Sequence, residues 1–167
     1  MPWAVFTISL ILSIVFEVVV GNYGGLVPCL AICAFYFTMR YGAMRTLAGV
    51  VVAAAFLDAC WMHRFPSQVL MILTVTGLSN AWKPYGDVNS GLSLLLSGGC
   101  IGIVSWLFFL LGLLIAGNLE KSFYLIIQLL VYQVVICIFL SPAVAFALNR
   151  LLRRSVTWLS APDEDNE

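Results

Sequence analysis

Long runs of apolar residues, separated by short polar or glycine-rich breaks, occupy almost the whole chain. A helix needs roughly 20 apolar residues to cross a hydrocarbon core about 30 Å thick, and most of the runs approach that length. The runs lie at about Trp3–Val20, Leu26–Met39, Thr46–Met62, Ser67–Trp82, Gly91–Ala116 and Phe123–Asn149. This pattern predicts an all-α, polytopic integral membrane protein with six transmembrane helices, of which the second and fourth are short.

Glycine and proline mark several of the breaks. Gly21–Gly25 separates the first two runs, which as one helix would be far too long for the membrane. Pro28 suits the first turn of the second helix, where its missing N–H is not needed, and Pro142 predicts a kink in the sixth. We expect residues 1–149 to form a six-helix transmembrane domain and residues 150–167 to form a basic-then-acidic cytoplasmic tail.

The composition agrees with a membrane protein and excludes several other classes. Of the 167 residues, 62% are hydrophobic and 10% are charged, whereas a soluble domain carries about 25% charged residues. The basic and acidic residues balance, and the few basic residues form no patch that would bind nucleic acid. Six spans use about 120 residues, so we expect no second domain of ordinary size.

The basic residues are divided unequally between the two predicted sides of the membrane. Six spans place both termini on one side, which also carries Arg40, Arg45, Lys83, Arg150, Arg153 and Arg154. The other side carries Arg64 and Lys121. Because cytoplasmic loops are enriched in lysine and arginine, this asymmetry predicts that both termini are cytoplasmic.

Glu17 and Asp58 are the charged residues that fall inside long apolar runs, which makes them the first candidates for function. Asp58 is either a buried proton relay, ligand or catalyst, or an interfacial acid that pairs with Arg64 or caps a neighbouring helix. We expect the structural or interfacial role. Glu17 either reaches the outer interface or pairs with a polar group inside the bundle, such as Gln128 or Gln133.

No arrangement of residues predicts catalysis, and we expect that the chain is not an enzyme. An aspartyl enzyme needs two facing acids, and the predicted topology places Asp87 on the opposite side of the membrane from Asp58. His63 is the single histidine and lacks the further ligands of a zinc site. The five cysteines lie in apolar segments, where buried thiols pack as small hydrophobes. We therefore expect no metal and no cofactor.

Small residues recur at helical spacing in two places. Gly49 with Ala53, and Gly98 with Gly102, each form a face on which another helix can pack closely. The spacing leaves open whether these faces lie inside the bundle or against another membrane protein. Without a catalytic constellation, we expect function by lateral association.

One segment resembles a known family. Its residues are Arg40, Gly42 and Gly49, then a run of small residues that ends in Asp58, and finally Pro66. This order is similar to the signature of the bacterial rod shape-determining protein MreD family. The length, the number of predicted spans and the arginine-rich end of the sixth span are also similar.

The chain departs from the family pattern at a few positions. Ser67-Gln68 follows the proline where Leu-Gly is usual, and Ala54 stands where a glycine usually precedes the aspartate. His63-Arg64 is an unusual polar insertion. The specific resemblance therefore covers the third predicted span and its flanks, while the later spans are similar in hydropathy alone.

The resemblance implies a non-catalytic subunit of the cell-wall elongation machinery in the bacterial inner membrane. Its implied partners are a bitopic MreC-like protein, a RodA-like glycosyltransferase, a class B penicillin-binding protein and, indirectly, the MreB filament. It also implies a six-helix fold similar to the substrate-binding subunit of energy-coupling-factor vitamin transporters. The residues that we expect to act in structure or interaction are Glu17, Arg40, Gly42, Gly49, Asp58, Arg64, Pro66, Gly98 and Gly102.

The likeness to a transporter subunit supplies an alternative function, the binding of a small molecule for uptake. Such a subunit needs a polar or aromatic pocket that opens to the outer face. The predicted outer side offers few polar residues, mainly Asn22, Tyr23, His63, Arg64 and Asn118. This scarcity favours the scaffold.

Overall fold

Six helices make up the part of the chain that the structure describes. A computed structural model describes residues 3–23, 25, 27–61, 65–86, 90–115 and 123–159, with the backbone alone for 123, 125 and 154–159. The helices are α1 (Trp3–Asn22), α2 (Cys29–Tyr41), α3 (Ala43–Cys60), α4 (Ser67–Trp82), α5 (Gly91–Ile115) and α6 (Phe123–Leu159). No strand occurs among these residues, which confirms the prediction of an all-α protein.

Four of the six helices are long and apolar enough to cross a membrane. These are α1, α3, α5 and the part of α6 from Ile126 to Arg153. The other two have 13 residues in α2 and 16 in α4. At about 1.5 Å per residue they measure about 20 Å and 24 Å, less than the ~30 Å core of a bilayer. The two short runs in the sequence are therefore short helices.

The last helix is longer than the sequence pattern predicts. The apolar run ends near Asn149, but α6 continues to Leu159, so the first part of the predicted tail is helical. Arginine is a good helix former, and Arg150 and Arg153 therefore interrupt the apolar run without ending the helix. Leu152 is still buried against the bundle. Residues 160–167, which include the acidic end of the predicted tail, lie outside the described residues.

The short helix α2 lies at the centre of the bundle. Every residue from Leu30 to Met39 is buried, and α2 contacts all five other helices. Those five form a closed ring in the order α1, α3, α4, α5, α6, in which each helix packs against its two neighbours. A helix that is apolar on nearly all sides must be covered on all sides, and the ring provides that cover.

The two small-residue faces predicted from the sequence lie inside the bundle. A Cβ added to Gly98 would lie 2.4 Å from a backbone carbonyl oxygen of α6, and one on Gly102 would lie 2.8 Å from the Cα of Val134. A Cβ on Gly49 would lie 2.7 Å from the ring of Phe6 on α1. These glycines let α5 approach α6 and let α3 approach α1. The faces therefore serve packing within the chain.

Candidate functional site

Glu17 lies near the end of α1 and has only 7% of its surface exposed. Its Oε1 accepts a hydrogen bond of 2.5 Å from the backbone N–H of Leu30, in the first turn of α2. The first four N–H groups of a helix have no partner in their own helix, so this carboxylate caps α2 from outside. The buried alternative for Glu17 is therefore the one observed, but the partner is a backbone group and not Gln128 or Gln133.

Asp58 makes the corresponding contact to α4. It lies near the end of α3 and is 8% exposed. Its Oδ1 accepts the backbone N–H of Gln68 and its Oδ2 accepts that of Val69, both at 3.1 Å. The sequence left open whether Asp58 acts in chemistry, pairs with Arg64 or caps a neighbouring helix. These contacts show that it caps α4. Arg64, the other expected partner, lies outside the described residues.

Both capped helices begin after a proline. Pro28 and Pro66 hold the N-cap positions of α2 and α4, and neither helix has a side-chain cap of its own. Proline offers no side-chain acceptor, so an acid from the preceding helix supplies it. A carboxylate is also favoured there by the positive end of the helix dipole. The hairpins α1–α2 and α3–α4 therefore repeat one design: a long helix with a buried acid, a proline and a short helix.

Sequence reasoning singled out both acids but missed this repeat. The signal is present twice: an acid near the end of a long apolar run, then a proline, then a short apolar run. The usual N-terminal signature of a helix places the capping side chain within a few residues of the N–H groups that it binds. Here the acid belongs to the previous helix. The local signature therefore does not identify it.

The other end of α2 holds two further residues of the MreD-like segment, Arg40 and Gly42. Gly42 is the single residue between α2 and α3 and has a φ of +90°, a conformation that favours glycine. The guanidinium of Arg40 donates hydrogen bonds to Asn149 Oδ1 on α6, at 2.5 Å, and to the hydroxyl of Tyr36, at 3.0 Å. Arg40 thus joins the end of α2 to α6, at the opposite end of α2 from Glu17.

A cavity of about 180 Å³ lies beside the first turns of α2 and α4. Its walls come from α1, α4, α5, α6 and the segments that precede α2 and α4. The polar residues that line it are Glu17, Ser67, Gln68, Ser105 and Gln133. Of these, Gln133 was one of the two partners that the sequence suggested for Glu17. Glu17 and Gln133 share this cavity without a hydrogen bond between them.

The polar groups of the cavity are only partly paired. The amide Nε2 of Gln133 donates to Ser105 Oγ at 2.8 Å, which links α6 to α5. The amide oxygen of Gln68 is buried and has no hydrogen-bond partner among the described residues. Ser67-Gln68 is also the pair at which the chain departs from the MreD-like pattern. The departure therefore coincides with the wall of the cavity.

The described residues give no geometric basis for a metal centre. They contain no group of three or more His, Cys, Asp and Glu residues that could hold a metal ion. Glu17 and Asp58 each bind the start of a helix, and Asp87 and His63 lie outside the described residues. The expectation that the chain is not an enzyme stays a prediction.

Comparison with known proteins leaves the family open. No protein-family model matches the sequence, and no curated protein or solved structure matches it either. The resemblance to the MreD family, and the likeness to a vitamin-transporter subunit that it implies, therefore remain predictions that depend on the segment from Arg40 to Pro66.

Replacing the two acids by their amides should have unequal effects on stability. Glu17→Gln keeps an oxygen for Leu30 and loses only the charge at the helix terminus, which is worth about 0.3–1 kcal/mol. Asp58→Asn keeps one oxygen for two N–H groups and should cost about 1–3 kcal/mol more, because one donor loses its acceptor. Thermal unfolding of both variants in the same detergent measures the difference. Equal losses would contradict a cap that uses both oxygens of Asp58.

Proposed function

We propose that the chain is a non-catalytic scaffold subunit of the bacterial cell-wall elongation machinery, similar to MreD, that helps to maintain cell shape. It acts by packing laterally against other membrane proteins. An outward face of small side chains on α3 and α4 is the observation that carries lateral association. The resemblance of the segment from Arg40 to Pro66 carries the assignment to cell-wall elongation.

The small-residue face lies on two helices that pack against each other. We define the α3–α4 face as the exposed residues Ala48, Ala55, Thr74, Gly77 and Ala81, and the larger side chains of Val52, Phe56 and Leu73 are exposed beside them. The outward side of α1 is different, because it carries the large residues Ile8, Ile11, Leu12, Val15, Phe16 and Val19. Large apolar side chains suit contact with lipid tails, whereas small ones let the backbone of a second helix approach closely. The α3–α4 face is therefore suited to a partner helix.

Residues of the MreD-like segment hold α3 and α4 in the positions that form this face. Gly42 forms the turn between α2 and α3, and Gly49 admits the ring of Phe6. Asp58 then caps α4, which begins after Pro66. The residues that resemble the family thus position α3 and α4, the helices that carry the proposed interface.

The partners that fit this proposal are membrane proteins of the elongation machinery. A bitopic MreC-like protein would place its single transmembrane helix on the α3–α4 face. A RodA-like glycosyltransferase and a class B penicillin-binding protein would join the same assembly, and the MreB filament would be reached indirectly from the cytoplasmic side. The chain itself would lie in the bacterial inner membrane, within the lipid bilayer.

We propose that the chain crosses that membrane six times, with both termini in the cytoplasm, and that α2 and α4 complete their crossings together with the segments that precede them. The ring of five helices supports this arrangement, because it shields the short α2 from lipid. The buried acids support it too, since they satisfy the N–H groups of helices that begin below the membrane surface. Such a fold would be similar to that of the vitamin-transporter subunit.

The cavity favours a second candidate function, the substrate-binding subunit of a small-molecule uptake transporter. Its polar side chains were not expected from the scarcity of polar residues on the predicted outer side. Stabilisation of the purified chain by a transported compound, together with uptake that depends on the chain, would establish this function. Loss of cell shape without loss of uptake in a deletion strain would favour the scaffold.

Gly77→Leu should break the complex with the MreC-like partner while the chain itself stays folded. An added Cβ meets no atom within 4 Å at Gly77, nor at Gly112 on α5, so both sites can accept leucine. Only Gly77 belongs to the α3–α4 face. We expect co-purification of the partner to fall about tenfold, equivalent to ~1.4 kcal/mol, for Gly77→Leu and to stay unchanged for Gly112→Leu.

Gly98→Leu provides the internal control for that experiment, because its side chain would collide with the backbone of α6. This variant should lower the melting temperature whether or not the partner is present. If Gly77→Leu melts normally and still binds every elongation partner, the α3–α4 face is not the interface and the scaffold proposal loses its structural support.

The proposed orientation predicts which residues face the outside of the cell. Tyr23, after α1, is 89% exposed and Met44, at the start of α3, is 97% exposed. In a chain without its native cysteines, a cysteine at position 23 should react with an impermeant maleimide in intact cells. A cysteine at position 44 should react only after permeabilisation. The reverse pattern would place the termini outside. Ser160, in the predicted cytoplasmic tail, and Asn118, on the predicted outer side, would test the same orientation, but both lie outside the described residues.

A further inference from the structure

The cavity beside the starts of α2 and α4 is large enough for a small organic molecule. Its volume is about 180 Å³. An apolar cavity of roughly 150 Å³ holds one benzene molecule, so this one accepts a compound about the size of a single ring. Nothing in the scaffold role requires such a space, since close packing is the rule inside proteins.

Glu17 is the one acidic or basic side chain among the described residues that line the cavity. Its Oε1 binds the N–H of Leu30, while Oε2 accepts no hydrogen bond from the described residues. The buried amide oxygen of Gln68 is a second acceptor without a partner there. These two acceptors, Glu17 Oε2 and Gln68 Oε1, favour a ligand that donates hydrogen bonds, and the carboxyl group favours one with a positive charge.

The helix starts beside the cavity do not reverse this preference. The N-terminus of a helix attracts anions through its free N–H groups and its dipole. Here Glu17 already binds the N–H of Leu30, and Asp58 binds those of Gln68 and Val69. The N–H groups of Leu30, Gln68 and Val69 are therefore not free to hold a bound anion, and an ionised Glu17 would repel one.

Aromatic side chains supply the rest of the wall. Trp61, Phe108 and Phe109 line the same cavity as Glu17. Aromatic faces attract cations, by about 0.5–1 kcal/mol at exposed sites and by more where water is excluded. They also offer apolar surface to the body of a ligand. The wall thus combines a carboxylate with an aromatic lining, the arrangement that recognises organic ammonium ions.

We propose that this cavity binds a small organic cation, about one ring in size, whose ammonium group pairs with Glu17 and whose body packs against Phe108 and Phe109. Gln68 accepts a second hydrogen bond from the ammonium group. The site is independent of the α3–α4 face, which lies on the outer surface of the bundle. It can therefore serve a scaffold as a regulatory site or an uptake subunit as its substrate site.

Benzylamine tests the proposal, with benzyl alcohol as a neutral compound of nearly the same shape. Equilibrium dialysis of the purified full chain in detergent should show saturable binding of radiolabelled benzylamine. Benzyl alcohol should not compete with it. Benzylamine should also raise the melting temperature, because a ligand that binds only the folded state stabilises it. Non-saturable uptake equal to that of benzyl alcohol would mean partition into detergent and would overturn the proposal.

Two amide variants separate the role of the charge from the role of the cap. Glu17→Gln preserves an acceptor for Leu30 but removes the charge, and it should weaken benzylamine binding about 10- to 100-fold, the value of a hydrogen bond between charged groups. Asp58 does not line the cavity but binds the backbone N–H of Gln68, so Asp58→Asn should weaken benzylamine binding much less than Glu17→Gln does. Unchanged binding in Glu17→Gln, or equal losses in both variants, would contradict the site. Neither result would affect co-purification of the partner through the α3–α4 face.

Discussion

A helix that begins inside a membrane protein, away from water, must find partners for its first N–H groups. This constraint governs the architecture of the chain, because α2 and α4 are too short to reach from one membrane surface to the other. Both begin after a proline, which offers no side-chain acceptor. In each case the solution is a carboxylate near the end of the preceding long helix. An unpaired donor in such a site would cost about 1–3 kcal/mol.

The two caps explain features that otherwise look unrelated. With its start satisfied by Glu17, α2 can sit at the centre of the bundle and present apolar side chains in every direction. With its start satisfied by Asp58, α4 can join the ring and present small side chains outward. The cavity lies beside both starts, where the short helices leave space that α5 and α6 do not fill. The same constraint thus leads to the central helix, the α3–α4 face and the cavity.

Much of the fold could be predicted from the sequence, because apolar runs and their breaks follow directly from the cost of burying polar groups in lipid. The bounds of α4 were predicted at both ends, and the start of α5 was predicted as well. The end of α6 was not, since arginine residues at a membrane surface do not stop a helix.

The site was harder to predict than the fold. Glu17 and Asp58 stood out by their charge alone, but their partners are backbone groups on the next helix, and spacing along the chain does not reveal such contacts. The same limit applies to the glycines. Gly98 and Gly102 look like an interface in the sequence, yet α6 covers them. Gly77, which faces outward, has Ala81 four residues on, the same spacing as the inward-facing Gly49 and Ala53, so spacing alone does not tell the two kinds of face apart.

Amide hydrogen exchange at the starts of α2 and α4 tests the central claim most directly. Solution NMR of the chain in detergent can follow the amides of Leu30, Gln68 and Val69 one by one. The two caps predict that Glu17→Ala speeds exchange at Leu30 alone, and that Asp58→Ala speeds exchange at Gln68 and Val69 alone. If both variants leave all of these amides as protected as before, the carboxylates do not cap the short helices, and the fold must satisfy those N–H groups in another way.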